Sequence, residues 1–452
     1  MVLNKFSLNG TLREIGLLVV IALLSGTVVL ASAHSVMTSS TLTITQTSVT
    51  TTTEYLTSTE YAGQPTQSQS TTSKLDSSFV SIGQSSTSNP SEYILVGGQN
   101  GSWFTDSQYP RLYQISLRAH VSRKLDPVDG MGTVWGGGFS GSEWLISGWG
   151  SDEGAEKSPD PYLYVFNGVN SIDDTIEDTA ESEWNGGDIF AASSNGTSWF
   201  VSGMGSGILG SYASYPTNHL SAGLFNGSVF VDLSAELPMQ MDGILYANAF
   251  NGTDWLVGGG YERSGVIFLF DGHSFIDLTL DAYSAIPSFQ SVQSIAWNGK
   301  YWLIGGVGFL AEYNGSTFNN LTAQLNDALA FQSGKLSGMN AVNSIAWNGT
   351  SWLLGGGLPI AYDNGPSSAW LVTFNPESSI FTDLTPKLPE YAVQPAMSSS
   401  ILSIAVIPTD GSWIIGGYAD NQSILLHLDG GVSDLTRLAS GMNYIDWVGV
   451  SG

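Results

Sequence analysis

The sequence predicts an all-β protein, a seven-bladed β-propeller of four-stranded antiparallel blades. Two nearly identical stretches, SIAWNGKYWLIGG at 294–306 and SIAWNGTSWLLGG at 344–356, start fifty residues apart, which is the period of a propeller blade. Gly makes up 54 of the 452 residues, and Asn-Gly or Asp-Gly dipeptides recur between short apolar runs, as is typical of turn-rich β structure. We further expect an N-terminal hydrophobic helix and a disordered stalk ahead of the propeller.

Composition excludes several classes of function. The net charge is −26, and Lys and Arg together number only 13, so a nucleic-acid partner, which needs a basic surface, is not expected. The chain has no Cys, which excludes disulfides, thiolate metal sites and cysteine nucleophiles. Charged residues make up 12%, about half the usual share. Such sparse charge suits a protein that faces acid outside the cell, where carboxylates are protonated.

Residues 1–33 form the first predicted segment, a membrane anchor or a signal peptide. The uncharged apolar run at 15–33 follows Lys5 and Arg13 and is long enough to span a bilayer. It ends in Ala31-Ser32-Ala33, a pattern that a signal peptidase could cut. With either outcome, the bases on the N-terminal side place the rest of the chain outside the cell, anchored or secreted.

Residues 34–91 form the second predicted segment, a stalk or linker rich in Ser and Thr. The stretch TLTITQTSVTTTTEYLTSTEY at 41–61 contains β-forming residues, but the whole segment has few large apolar side chains. It therefore lacks the apolar surface that a core would need. An extended, O-glycosylated stalk and a plain flexible linker both fit this composition.

Residues 92–452 carry the repeat that predicts the propeller. Each unit has four short apolar runs, and tight turns join the first run to the second and the third to the fourth. The first turns are Asn195-Gly196, Asn251-Gly252, Asn298-Gly299 and Asn348-Gly349, with Ser140-Gly141 and Asp410-Gly411 as variants. The second runs open with Trp144, Trp199, Trp255, Trp302, Trp352 and Trp413. The second turns include Asn167-Gly168, Asn226-Gly227, Asp271-Gly272, Asn314-Gly315 and Asp429-Gly430. We expect each turn to be a two-residue hairpin with positive φ at both residues.

Six units are complete, and two fragments complement each other. The start, at 92–125, has the second, third and fourth runs but lacks the first, whereas the end, at 442–452, has a first run alone. Joined, they make a seventh unit, so we expect the last strand of the chain to complete the first blade and close the ring.

The repeat resembles the kelch repeat and is similar to the propeller of the galactose-oxidase type. The resemblance covers about 360 residues and rests on second runs that end in paired glycines. These pairs are Gly97-Gly98, Gly258-Gly259, Gly305-Gly306, Gly355-Gly356 and Gly416-Gly417. It implies architecture more than function, because this fold serves enzymes, adaptors and adhesins. The kelch fourth-strand Trp is replaced by Phe230, Phe275, Phe318 and Phe381. A Cys-linked copper site is not implied, since the chain lacks Cys.

Function is expected on the face that carries the connections between second and third runs and between units, because these vary in length. Its candidate ligand-binding aromatics are Trp149, Trp184, Tyr212, Tyr215, Tyr261, Tyr283, Tyr362, Tyr391 and Tyr418. We expect a non-enzymatic binding or adhesion module whose partner is a surface glycan or an envelope protein. A hydrolase or lyase acting on polysaccharide and a structural envelope component remain alternatives.

Catalytic residues, metals and cofactors are not expected. The five histidines occur singly, without the spacing of metal ligands, at His34, His120, His219, His273 and His427. An Asp that recurs at one position of the fourth run is expected to be structural, at Asp232, Asp277, Asp383 and Asp434. Glycosylation sequons occur at Asn100, Asn195, Asn226, Asn251, Asn314, Asn320, Asn348 and Asn421. Five of these lie in tight turns, so glycans would decorate the tight-turn face.

Overall fold

The computed structural model divides the chain into two units, 1–83 and 84–452. The residues it describes are 19–24, 27–32, 93–101, 109–125, 131–151, 160–169, 171–172, 187–206, 218–239, 241–261, 264–329, 340–358, 368–393 and 398–451.

The described part of the first unit is an antiparallel strand pair, β1 (Val19–Leu24) and β2 (Thr27–Ser32). Val19 lies opposite Ser32, and Leu24 lies opposite Thr27. The expected N-terminal hydrophobic helix is therefore wrong for these residues. Half of them are Val, Ile or Thr, and such β-branched side chains favour strands. Within the described ranges, no helix is long and apolar enough to cross a membrane. The predicted stalk at 34–91 lies outside the described residues.

The second unit is made almost entirely of short strands. Strands β3 to β9 cover Tyr93–Asn100, Tyr109–Ser116, Val121–Leu125, Met131–Phe139, Trp144–Ser151, Asp160–Phe166 and Ser171–Ile172. Strands β10 to β17 cover Gly187–Ser194, Trp199–Ser206, Asn218–Phe225, Phe230–Asp232, Ile244–Phe250, Trp255–Tyr261, Ser264–Phe270 and Phe275–Asp277. Strands β18 to β25 cover Val292–Trp297, Trp302–Gly306, Phe309–Tyr313, Phe318–Asn320, Ala341–Trp347, Trp352–Gly357, Trp370–Asn375 and Ile380–Asp383. Strands β26 to β30 cover Ser399–Val406, Trp413–Ala419, Gln422–Asp429, Gly431–Asp434 and Tyr444–Val450.

Helices are few and short, and they follow fourth strands. Two are α-helical, α1 (Thr279–Ala285) and α2 (Thr322–Ala328). The 3₁₀ turns are Ser234–Glu236, Thr385–Lys387, Glu390–Ala392 and Thr436–Ala439.

The strands form antiparallel sheets, most of them four-stranded. Strands β6–β9, β10–β13, β14–β17 and β18–β21 each make one sheet in chain order. Strands β22–β29 make two such groups of four, which a single backbone pair, Gly357 with Ser400, joins into one larger sheet. The remaining sheet has the order β30-β3-β4-β5. The second unit is thus all-β, with the architecture of a β-propeller.

The first and last strands of this unit pair with each other, as the two complementary sequence fragments predict. Ile94 lies opposite Val450 and Gln99 lies opposite Tyr444. Beyond the strand, the Ser451 amide donates to the Tyr93 carbonyl oxygen at 3.1 Å. The first strand of every sheet also contacts the first strands of its two neighbours, in the series β6, β10, β14, β18, β22, β26, β30 and β6 again.

The paired glycines that end the second strands have a packing reason. A Cβ on Gly258 would lie 2.7 Å from Cγ1 of Val292, which belongs to the next sheet, and a Cβ on Gly259 would collide with the carbonyl oxygen of Ile244 in its own sheet. The first glycine therefore admits the aliphatic side chain of the neighbouring sheet, and the second admits the bulged first strand. Apolar cores accordingly lie between adjacent sheets, as in the cluster that joins Leu256 to Ile304.

The tight turns differ from the predicted two-residue hairpins. Ser194 pairs with Trp199, so four residues, 195–198, lie in the turn. Only Gly196 has positive φ, at 92°. The Asn195 side-chain Oδ1 accepts the backbone N–H groups of Thr197 and Ser198, at 2.9 and 2.8 Å. The prediction was wrong because the Asn side chain, and not a positive φ at Asn, closes the turn, as in an Asx-turn. The same geometry explains why Asp can replace Asn, as it does at Asp271.

The recurring fourth-strand Asp is structural, as predicted. Asp434 Oδ1 accepts the N–H of Thr436 at 2.9 Å, and Thr436 Oγ1 accepts the N–H of Leu425 in the third strand at 3.0 Å. The carboxylate therefore positions the Thr436 hydroxyl, which continues the hydrogen bonding to the third strand beyond the end of the fourth strand. The same arrangement recurs at Asp232 with Ser234, Asp277 with Thr279, Asn320 with Thr322, and Asp383 with Thr385.

Candidate binding site

The two faces of the second unit are built differently. We name the turn face after the four-residue Asx-turns that join first to second and third to fourth strands, and the loop face after the other connections. On the loop face, Asp420 and Asn421 alone join β27 to β28, whereas 358–369 join β23 to β24. Asp420 and Asn421 have φ of 48° and 63°, so a two-residue turn with both φ positive occurs here, on the opposite face from the one predicted.

The predicted loop aromatics are distributed over different sheets. Trp184, Tyr212, Tyr215 and Tyr362 lie outside the described residues. Trp149 is half-buried within β7, and Tyr261 ends β15 with 51% of its surface exposed.

The side chains of the other predicted aromatics pack against neighbouring residues or form hydrogen bonds with them. Tyr418 is buried, with its ring 4.7 Å from that of Tyr444. The Tyr391 hydroxyl donates to Asp434 Oδ2 at 3.1 Å, on the outer side of the sheet. The hydroxyl of Tyr283 accepts the N–H of Gly265 at 3.1 Å. Of the described set, Tyr261 offers the most open aromatic surface on the loop face.

A set of residues that the sequence analysis missed lies nearer the centre. Every first strand carries a β-bulge close to its loop-face end, and such bulges commonly re-aim a side chain. One residue from each bulge, at matching positions, makes up what we term the bulge ring. Its members are Trp135, Phe190, Tyr246, Gln293, Asn343, Leu402 and Asp446. In the sequence, each directly follows the buried aliphatic residue of a first run, and this position is the signal that could have identified them.

One arc of the bulge ring is aromatic. The rings of Trp135 and Phe190 stack with centroids 5.0 Å apart, and those of Phe190 and Tyr246 meet edge to face at 5.2 Å. These contacts run across three consecutive sheets. The arc therefore presents a continuous aromatic surface around the inner strands.

The opposite arc is polar. The Nε2 of Gln293 donates to Ser291 Oγ at 3.0 Å, and the Nδ2 of Asn343 donates to Ser400 Oγ of the next sheet at 2.7 Å. Both side chains are buried, and within the described structure Gln293 Oε1 and Asn343 Oδ1 accept no hydrogen bond. A ring that combines an aromatic arc with buried amide oxygens is suited to a ligand with both apolar and hydrogen-bonding surfaces.

Asp188 is a buried carboxyl group on the same inner strands. It precedes Ile189 in β10, and burial raises its pKa to about 7. At the matching position of β6, Thr133 donates to Gln99 Oε1 at 2.8 Å. Asp188 is therefore neutral in acid, and becomes charged only as the pH rises past about 7.

In the described part of the chain, a His and an Asp lie close enough to form an ion pair. His219 Nδ1 lies 3.6 Å from Asp242 Oδ1, where two neighbouring sheets meet through a bridge between the same residues. Among the described residues, no three His, Asp or Glu side chains lie close enough together to hold a metal ion.

Comparisons with known proteins find likeness to solved structures alone. No protein-family model and no curated protein matches the chain. The β-propeller domain of the Trilobed protease from Pyrococcus furiosus is 10% identical, with a TM-score of 0.43 over 76% of this chain and 92% of that one. An acylaminoacyl peptidase in complex with Z-Gly-Gly-Phe-chloromethyl ketone is 9% identical, with a TM-score of 0.43 over 76% of this chain and 52% of that one.

A third similar structure is the GH74 enzyme of Niastella koreensis, 9% identical with a TM-score of 0.43 over 68% of this chain and 46% of that one. This chain thus spans about half the length of the peptidase and of the GH74 chain. At such identities and TM-scores the comparisons assign the chain to no family.

Proposed function

We propose that residues 92–452 form a seven-bladed, kelch-like propeller closed by the C-terminal strand, which serves outside the cell as a binding or adhesion module. Its partner is a surface glycan or an envelope protein, and the N-terminal segment 1–33 tethers it to the membrane. Two observations support the closed ring. β30 pairs with β3, and the contacts between first strands form a series that returns to its starting strand.

The contrast between the two faces is the observation that carries the binding function. On the turn face, Asn and Asp side chains are used by their own turns, as Asn195 shows with two backbone bonds. On the loop face, connections range from two to twenty residues and border the bulge ring. Variable connections on a repeated scaffold are where binding sites concentrate. The loop face therefore supplies the recognition surface.

Composition supports a location outside the cell. The chain has few charged residues, no Cys, and an apolar run at 15–33 that follows two bases. Asp188 adds a structural argument, because a carboxyl group that is buried and neutral below pH 7 stabilises a fold in acid.

The test is a binding screen of the full-length protein against a glycan array and against its native envelope proteins, at pH 4.5 and pH 7. We expect selective binding that Tyr261→Ala weakens, because this aromatic side chain is 51% exposed on the loop face. Ile276→Ala is the matched control, since this side chain is 50% exposed but lies on the outer strand of the same sheet. Equal losses in both variants, or no binding to either class of partner, would contradict the proposal.

A further inference from the structure

A groove of about 510 Å³ opens at the outer rim of the turn face, between the β18–β21 sheet and strands β22–β25. That volume is within the range of small-molecule sites. Its walls come from the two hairpins of the first sheet and from the β24–β25 hairpin of the second. The residues used below are Lys300, Tyr301, Glu312, Asn319, Pro376 and Phe381, all of which line it.

The first unusual feature of the groove is a basic residue in a turn. Lys300 occupies the third position of its four-residue turn, where the matching turns carry Thr197, Thr253 and Thr350. Those threonines donate to the turn Asn, as Thr253 Oγ1 does to Asn251 Oδ1 at 3.0 Å. The turn does not need a hydrogen bond from the Lys300 side chain, because the backbone N–H of Lys300 donates to Asn298 Oδ1 at 2.9 Å. Its ammonium group is thus available to the groove.

The second feature is a polar pair across two strands. Glu312 and Asn319 lie opposite each other in β20 and β21, and Asn319 Nδ2 donates to Glu312 Oε2 at 3.0 Å. The matching pairs in the two preceding sheets are apolar, Leu224 with Val231 and Leu269 with Ile276. Those in the two following groups are polar, Thr373 with Thr382 and His427 with Ser433, but none of these pairs contains a carboxylate. The departure in this sheet is therefore the acidic side chain of Glu312, which lines the groove.

The third feature is a longer hairpin. In β20–β21 the pair Tyr313 and Phe318 encloses a turn of four residues, whereas in β24–β25 the matching pair, Phe374 and Phe381, is followed by a further pair before the turn. This extension brings Pro376 into the groove wall. Phe374 and Phe381 stack at its base, with centroids 4.2 Å apart and an interplanar angle of 11°.

Residues whose role is purely structural recur from sheet to sheet, as the fourth-strand Asp does. Here three departures from the repeat, in two sheets, meet in one groove. Independent departures that converge in space indicate a ligand. Each departure is visible in the sequence, but their meeting in one groove is not.

The chemistry of the lining defines the ligand class. One Lys and one Glu leave the lining without net charge, which disfavours a strongly charged ligand. Carboxylate, ammonium and amide groups both accept and donate hydrogen bonds, while Pro376 and the Phe381 ring offer apolar contact. Adjacent hydroxyl groups on a ring with C–H faces satisfy all of these together. We propose that this groove binds a neutral sugar residue.

The sugar has two potential sources. It could belong to a separate saccharide, or to a glycan carried by Asn314, which is the Asn of a sequon and itself lines the groove. The proposal stands apart from the loop-face function, since the residues that carry it, Lys300, Glu312 and Pro376, lie in tight turns and in a third strand and not in the loop-face connections.

The test uses the full-length protein and the methyl glycosides of glucose, mannose, galactose and N-acetylglucosamine, with saturation-transfer NMR and calorimetry. We expect saturable binding of at least one glycoside, weakened about tenfold by Glu312→Leu and by Asn319→Ile, since each removes hydrogen bonds that include a charged group or its partner. Both substitutions introduce residues that the sheet β14–β17 uses at these positions, Leu269 and Ile276. Lys300→Ala, in an exposed turn, provides a third variant that does not alter a strand.

Ser433→Ile is the matched control, because Ser433 holds the position of Asn319 in the β26–β29 group and lies away from the groove. It should leave binding unchanged. Ser316→Ala, which removes the sequon but keeps Asn314 in its turn, distinguishes the two sources. Binding that appears only in Ser316→Ala identifies the chain's own glycan as the natural occupant, whereas equal binding in both proteins identifies a separate saccharide. No binding in either protein, or binding that the three groove variants leave intact while they stay folded, overturns the proposal.

Discussion

The hydroxyl of Tyr301 accepts a hydrogen bond from the indole Nε1 of Trp352, at 3.2 Å, across the boundary between two sheets. Tyr93 and Trp144 repeat this bond at 3.2 Å, at the matching boundary beside the closing strand. Trp352 is fully buried, so its N–H has no access to water as a substitute. At each of these two boundaries, one tyrosine hydroxyl thus accepts the indole N–H of the neighbouring sheet.

Loss of that phenol should destabilise the fold. We expect Tyr301→Phe to lower the free energy of unfolding by about 1–3 kcal/mol, because it leaves a buried donor unpaired. Urea unfolding followed by tryptophan fluorescence measures the change. Tyr261→Phe, at an exposed aromatic, should have no effect, and equal stability of the two variants would show that the bond contributes nothing.

The hydroxyl that ends the fourth strand should matter as much. Thr385 is fully buried, and its Oγ1 accepts the N–H of Leu371 at 3.1 Å. We expect Thr385→Val to cost about 1–3 kcal/mol, since the shape is kept but a buried N–H loses its acceptor. Thr382→Val, at an exposed position of the preceding strand β25, is the control. A thermal-unfolding midpoint that falls no further for Thr385→Val than for Thr382→Val would refute the role assigned to this hydroxyl.

Asp188 should make the protein more stable in acid than near neutrality. Its pKa is about 7 in the folded protein and near the ordinary 3.8 in the unfolded chain, so between these values the folded state binds the extra proton. The stabilisation is fully present below pH 3.8 and is lost as the pH rises towards about 7, by up to about 4 kcal/mol.

Chemical unfolding of wild type and Asp188→Asn at pH 4.5 and pH 7.5 measures this effect. The difference between the two proteins isolates Asp188, because all other groups titrate in both. We expect the wild type to lose more stability than the variant over this range. Parallel pH profiles would mean that the carboxyl group is ionised throughout.

The glycines that end second strands should tolerate no side chain. Gly258→Ala places a Cβ 2.7 Å from Val292 Cγ1, and overpacking of this kind costs about 1–3 kcal/mol. In a double-mutant cycle, Val292→Ala should recover part of the loss, because the two positions are in direct contact. Gly431→Ala, where a Cβ would meet nothing within 4 Å, is the control. Additive effects of Gly258→Ala and Val292→Ala would disprove the packing explanation.

The sequence predicted those elements whose signals are local. Strand runs, tight turns and the complementary fragments at 92–125 and 442–452 can be read from periodicity, and the structure has the corresponding strands. The turn geometry could not be read in this way, because Asn-Gly fits both a two-residue hairpin and an Asx-turn. In the Asx-turn the Asn195 side-chain oxygen accepts the backbone N–H of Ser198, and this is the geometry that forms here.

The bulge ring and the groove were not predicted from the sequence, because their residues come together only in the folded structure. Which residue of a first run is bulged depends on the register against the second strand, so Gln293 and Asn343 looked like ordinary strand residues. Glu312, Lys300 and Pro376 lie in different strands and turns and come together only once two sheets pack. The expected helix was wrong for 19–24 and 27–32, because length and apolarity favoured a helix, whereas half of these residues are β-branched and favour strands.

The pairing of β30 with β3 also determines when the first sheet can be completed during synthesis of the chain. Tyr93 and Ser451 are 358 residues apart in sequence, so the first sheet stays incomplete until β30 has been synthesised and has reached it. During that interval β3 exposes an unpaired edge that could pair with another chain. A nascent copy is therefore most vulnerable to misassembly before β30 arrives, and closing the sheet removes that edge.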